Sequence, residues 1–225
     1  MAFHPIALPA ATPRMVQNVV TGAVQPFLSD VHAMLLLPLE GSLPDVGCNL
    51  AVAEVLLAVI GGVSAVLYAT EGGTGAAFQG FLREYYPWDA EPDREDPVRD
   101  PTEGARILYI EYRNPLAHAA GVSVFSDRIG KNARRAYRPR QRGLMIRRLA
   151  IAGDTQPGRG LTEQRLLELE SEPVRPGWLS ATLASDGSMR LLTVEALYWG
   201  LRAAVQRLCG DAAKMDAAEK FFDVR

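Results

Sequence analysis

The chain has 225 residues, 48% of them hydrophobic, and a formal net charge of −2. That length and apolar content predict one sizeable core with an elaboration, not two full domains, and the near-neutral balance by itself predicts no nucleic-acid or membrane partner. Two cysteines far apart in sequence, three histidines and no paired-cysteine motif predict buried free thiols in a reducing cytosol, with no metal site and no cofactor.

Residues up to about Pro13, with three prolines and little periodicity, read as an extended lead. The opening Met1-Ala2-Phe3-His4-Pro5 has no basic stretch followed by an uninterrupted apolar one, so no signal peptide is indicated and the expected location is cytoplasmic. A first helix is predicted from Pro13 to Leu39, because Val16, Val20, Val24, Phe27, Val31 and Leu35 recur at threes and fours, with a bend at Pro26. His32 reads as a surface or groove residue of that helix.

The second helix, Val46 to Ala69, is apolar nearly all round, and Glu54 is its only charge. It is assigned to the centre of a soluble bundle, with a membrane span as the weaker reading. Glu54 then requires either a partner, for which Arg113 is the natural candidate, or a position at the bundle edge where it reaches solvent. Glu71-Gly72-Gly73-Thr74-Gly75 breaks the chain. Thr74 is the expected cap of a third helix ending in Tyr85-Tyr86-Pro87-Trp88, whose aromatics are expected to pack on the bundle. From Asp89 to Glu103 seven acids face only Arg94 and Arg99, in a proline-containing stretch that reads as a mobile connector or a lid.

A fourth helix, capped near Thr102-Glu103, carries Glu111-Tyr112-Arg113-Asn114-Pro115-Leu116-Ala117-His118. Asn114 and His118 lie four apart and share a helical face, with Arg113 about 100° round from Asn114, so all three can border one pocket. Pro115 has no amide hydrogen and its ring crowds the Glu111 carbonyl, which predicts a kink or a restart, with Asn114 as cap of the new turn. A plain alternative makes Arg113 a surface cation, Asn114 a cap and His118 a helix-terminal imidazole.

The spacing of Arg113, Asn114 and His118, framed by Tyr112 and Leu116-Ala117-His118-Ala119, resembles the Arg-Asn-x-x-x-His signature of the HEPN superfamily. The resemblance implies a helical bundle and a homodimeric, metal-independent endoribonuclease, with the Arg and His of both protomers facing one cleft, in a toxin or host-defence setting. It equally implies the catalytically silent members of the family, which bind a nucleotide, an RNA or a protein partner such as an antitoxin. Chemically, the imidazole supplies proton exchange near neutral pH, the guanidinium binds phosphate, and the carboxamide orients either. Glu54 and Tyr112 are the supporting residues.

Past Gly121 the character changes. From Arg128 to Arg148 there are nine basic residues and no acid. Arg134, Arg135, Tyr137, Arg138, Arg140 and Arg142 combine charge with a stacking ring and are the candidate RNA-binding set, the alternative being a solvated basic loop answering the acidic one. Leu144 to Ile151 reads as a strand, Thr162 to Glu172 as a helix, and Trp178 to Ala184 with Met189 to Val194 as a hairpin. Helix returns at Val194 with a stripe of Leu197, Leu201, Ala204, Val205 and Leu208, and Asp211 caps a final helix. The predicted class is therefore α+β, predominantly helical, with a small antiparallel sheet or hairpin elaborating the helical bundle that the HEPN resemblance implies. One domain, 1–225, has a bundle core at 13–121, a basic and β elaboration at 122–193, and C-terminal helices at 194–225 packing on the bundle.

Overall fold

The computed structural model of the protein describes residues 3–37, 48–68, 72–88, 96–119, 143–148, 161–171, 182–186 and 189–223. Prolines 26 and 115 both fall inside helical runs, and the chain accommodates each in the same way. Helix α1 (Arg14–Val19) passes through a π-helical segment, Val20–Val24, into α2 (Gln25–Leu36). Helix α5 (Pro101–Ile107) passes through another, Leu108–Arg113, into α6 (Asn114–Ala119). In each case the carbonyl that an α-helical proline ring would strike, that of Gly22 or Glu111, lies within the wider π turn, where bonding runs to the fifth residue. The expected restart at Pro115 is therefore corrected: Asn114 has φ −65° and ψ −46°, helical values rather than those of a cap.

Helix α3 (Asn49–Val63) continues as a π segment, Ser64–Tyr68, and α4 (Gly73–Tyr85) follows. Gly72 rather than Thr74 occupies the cap position of α4, and Gly73 adopts φ 78°, a left-handed value that costs glycine nothing. Asp100, not Thr102, caps α5: its side chain accepts from the Thr102 amide at 3.0 Å, and Pro101 takes the first helical position, where no amide hydrogen is needed. Tyr85, Tyr86 and Trp88 are all buried, as their sequence position suggests.

Beyond the bundle come β2 (Gly143–Arg147), α7 (Glu163–Ser171), β3 (Leu183–Asp186), β4 (Met189–Thr193), α8 (Val194–Gly210) and α9 (Ala212–Asp223). The β3–β4 hairpin is antiparallel as expected, with Leu183 opposite Leu192 and Asp186 opposite Met189. With β1 (Asp96–Pro97) included, the sheet as a whole is mixed rather than antiparallel, in the order β1-β3-β4-β2. β2 runs parallel to β4, after a crossover containing α7 of the kind that parallel pairs require. The other edge, β1 (Asp96–Pro97), belongs to the acidic stretch, so that part of the supposed lid is fixed to β3, and residues 89–95 lie outside the described region. Asp211 caps α9 as expected, accepting from the Lys214 amide at 3.1 Å.

The helix at the centre is α8. Every residue from Val194 to Arg202 is buried, including Glu195 and Arg202. Helix α3, expected in that place, buries one face and exposes Leu50, Ala51, Glu54, Ala58 and Gly62 on the other, with Ala65 exposed in the π segment beyond. Apart from Leu50 and Glu54 these residues are so small that exposing them forfeits little apolar area. Two helical runs, Arg14–Leu36 and Asn49–Tyr68, are long and apolar enough to cross a membrane, and half of the apolar window in the second is buried within the fold. Cys209 is buried, which pushes its thiol up to about 11, whereas Cys48 is only half-buried.

Close helix packing on α8 depends on Gly200. A Cβ there would overlap the Tyr86 hydroxyl group. That ring cannot swing aside, because the hydroxyl is bonded to Thr182 Oγ1 at 2.5 Å and to the Ala196 carbonyl at 3.2 Å. Gly200→Ala should cost about 1–3 kcal/mol by overpacking against the roughly 1 kcal/mol that alanine gains in a helix, a net loss of up to about 2 kcal/mol. A urea midpoint at or above that of the parent would count against this packing.

Candidate functional site

Arg113 closes the π segment and Asn114 opens α6, so the two side chains emerge from adjacent residues on a widened turn. Both are half-buried. The guanidinium Nη1 donates to Asn114 Oδ1 at 3.1 Å, and its carbon lies 5.7 Å from the centre of the Tyr109 ring. Tyr109 is in turn backed by Phe78, with ring centres 5.3 Å apart. Gly75 of α4 leaves room for it, since a Cβ there would approach the Tyr109 hydroxyl to 2.7 Å. Arg113 is thus held by a carboxamide and a π face, and among the described residues no carboxylate neutralises it.

Glu111, the nearest acid in sequence, is committed elsewhere. Its carboxylate lies 3.4 Å from Arg106 and 3.5 Å from Arg190, and Arg106 also forms a two-pronged pair with Glu103 at 2.7 and 2.8 Å. That pairing holds the Glu103 carboxyl below its ordinary range. Glu54 is exposed, so burial demands no partner for it and the bundle-edge reading holds. Tyr112 is fully buried, donates to the Arg190 carbonyl at 3.1 Å, and has its phenol pushed well up, chiefly by burial and then by the charge of Glu111. Its part is to fix the turn that presents Arg113 by tying it to β4. The backbone of His118 lies in α6, one turn beyond Asn114, while its side chain lies outside the described region. Arg134, Arg135, Tyr137, Arg138, Arg140 and Arg142 also lie outside it.

A second polar cluster, with no counterpart in the sequence reading, lies where α2, α7, α8 and the N-terminal lead meet. His32 is 1% exposed, correcting its expected surface or groove position, and its Nδ1 lies 2.6 Å from Glu170 Oε1. Tyr198 donates to the same oxygen at 2.6 Å, and the His4 amide to Oε2 at 2.9 Å. Burial above all pushes the Tyr198 phenol far up, so it stays a donor. Arg202 donates to the carbonyls of His4 at 2.6 Å and Glu170 at 3.1 Å. Its guanidinium carbon is 5.5 Å from the ring centres of both Phe3 and Tyr198. The sequence signal for this cluster is faint, because Glu170 stands among other acids on α7 and only its burial sets it apart.

No known family model, curated protein or solved structure matches this chain.

The two clusters should respond differently to truncation. Glu170→Ala strands three donors in the interior and should destabilise the protein by about 3–5 kcal/mol. Arg113→Ala removes a half-buried cation that has no carboxylate partner among the described residues and should cost less than about 1 kcal/mol. Urea unfolding of the two variants measures both, and comparable losses would deny Arg113 its status as an available cation.

Proposed function

We propose that the protein is a metal-independent endoribonuclease of HEPN type, with Arg113, Asn114 and His118 as its catalytic residues. The observation that carries this reading is the state of Arg113: half-buried, held by Asn114 and Tyr109, and without a carboxylate among the described residues. An arginine so oriented and left unneutralised is suited to an external oxyanion, and a phosphodiester accepts its planar fork in two places. The helical setting of the Arg-Asn-x-x-x-His spacing supports the same reading.

In the proposed reaction His118 takes the proton of a ribose 2′-hydroxyl and the oxygen attacks the adjacent phosphorus. The bond to the 5′-oxygen breaks, that oxygen takes up a proton, and the products are a 2′,3′-cyclic phosphate and a 5′-hydroxyl. Arg113 stabilises the charge gathering on the phosphoryl oxygens, and Asn114 fixes the guanidinium. One histidine per chain serves either the base or the acid role. A homodimer that brings a second His118 to the same phosphate supplies both, and a two-fold axis repeats each contact. Arg134 to Arg142 is the proposed grip on the RNA backbone.

The test is incubation of the purified protein with single-stranded RNA in chelator. Expected are cyclic-phosphate ends, a loss of roughly 10²- to 10⁴-fold in rate for His118→Ala with the melting temperature nearly unchanged, and a comparable loss for Arg113→Ala. Light scattering at micromolar concentration should give a dimer. Replacing the arginines from Arg134 to Arg142 by glutamine should weaken RNA binding and flatten its salt dependence. Cleavage that survives His118→Ala, or a parent protein that cuts no RNA, would falsify the assignment.

A further inference from the structure

Tyr137 lies outside the described residues, and of the other tyrosines all but one have their hydroxyls bonded inside the protein. Tyr68 donates to Glu84, Tyr85 to Asp211, Tyr112 to the Arg190 carbonyl and Tyr198 to Glu170, while Tyr86 is bonded to Thr182 and the Ala196 carbonyl. Tyr109 is the exception, for among the described residues its hydroxyl has no hydrogen-bond partner. The unpartnered side-chain atoms that the fold buries belong to Thr12, His32, Asn49, Arg148, Arg190 and Arg202, so solvent reaches the Tyr109 oxygen. The ring that carries this free hydroxyl is the one set against Arg113.

The hydroxyl is held in place without being used. Phe78 backs the ring at 5.3 Å between centres, and Gly75 offers the oxygen no side chain, since a Cβ there would stand 2.7 Å from it. Arg113 bonds Asn114 through Nη1, which leaves Nε and Nη2 for a ligand. With 5.7 Å between the ring centre and the guanidinium carbon, both donors fall within the span of one bound phosphate group. Each donates in its own plane, the guanidinium along its edge and the phenol through its O–H. A tetrahedral anion meets both requirements, because its oxygens point in separate directions and each accepts more than one hydrogen bond.

We propose that the Tyr109 hydroxyl is a further substrate-contacting group, donating to the same RNA phosphate that Arg113 grips. This role rests on the ribonuclease reading of Arg113 and adds a second donor to it. The ring restrains the guanidinium while the hydroxyl meets the anion. As charge gathers on the phosphoryl oxygens, the phenol stabilises it by a hydrogen bond and keeps its own proton, so the bonds made and broken are those of the reaction at His118. Tyr112, three residues on, cannot take this part, because its ring is fully buried and its hydroxyl is committed to the Arg190 carbonyl.

The test uses the full chain, single-stranded RNA in chelator, and a 2′-O-methyl oligonucleotide that cannot be cut. Tyr109→Phe keeps the ring and removes only the hydroxyl. It should leave the melting temperature unchanged, weaken binding of the 2′-O-methyl oligonucleotide about 10-fold and lower kcat on RNA roughly 10²-fold. Added to Arg113→Ala it should cost little more than Arg113→Ala alone, because both donors serve one phosphate. A parent that cuts no RNA but binds the oligonucleotide, with the same loss in Tyr109→Phe, ends the ribonuclease reading and upholds the phosphate contact. Binding and kcat equal to the parent's overturn the contact, as does a parent that binds no oligonucleotide. Full additivity with Arg113→Ala overturns it too, by placing the two donors on different groups. So does a clear fall in the melting temperature of Tyr109→Phe, since the hydroxyl is then bonded within the protein.

Discussion

Helix α8 carries two charges, Glu195 and Arg202, into a part of the protein where water cannot reach them, and the surrounding structure is arranged to answer both. An ion left alone in such a place costs several kcal/mol, so each must be met by a partner with the right geometry. Glu195 is met by Arg148 at 2.5 Å, and Arg148 also bonds the Leu35 carbonyl near the C-terminal end of α2. Through that one guanidinium the end of β2, the start of α8 and the last turn of α2 are tied together. Arg202, two turns further along, is met by carbonyls from the N-terminal segment and α7 and by the faces of two aromatic rings. The small sheet and the N-terminal lead, which look peripheral along the chain, are therefore what make the burial of α8 tolerable.

The cation at Arg113 is the counterexample. It is half-buried, has no carboxylate partner among the described residues, and is restrained by Asn114 and Tyr109. Among the described residues, Glu111 is turned to Arg106 and Arg190, and Glu54 is exposed. Restraint without neutralisation is what an arginine needs to bind an anion from outside, and it distinguishes Arg113 from Arg148 and Arg202, which hold the fold. The π turn contributes as well, since Leu108–Arg113 carries both Tyr109 and Arg113 and lets Pro115 follow without breaking the helix.

A common feature of both polar clusters is an aromatic ring set against a guanidinium: Tyr109 against Arg113, and Phe3 with Tyr198 against Arg202. Such contacts hold the cation's plane while leaving its edge free for hydrogen bonds. In the first cluster the edge bonds the Asn114 carboxamide. In the second it is turned to backbone carbonyls, with one nitrogen left over.

Much of the helical framework was legible in the sequence. The spacing of Val16, Val20, Val24, Val31 and Leu35, the hairpin at 183–193 and the Asp211 cap are local patterns, set by a period or by a single hydrogen bond to a nearby amide. The Arg113-Asn114 pair was legible for the same reason, since adjacent residues on a helix can touch whatever the rest of the chain does. What only the tertiary structure decided was which helix is central, which charges are buried and how β2 pairs. Hydropathy favoured α3 because it sums residues irrespective of size, whereas burial follows apolar area, and the exposed face of α3 is built mostly of alanine and glycine. His32 and Glu170 lie 138 residues apart, and Arg148 and Glu195 lie 47 apart, so nothing in either neighbourhood marks the pair. Charges of that kind are recognised only once packing has removed their water.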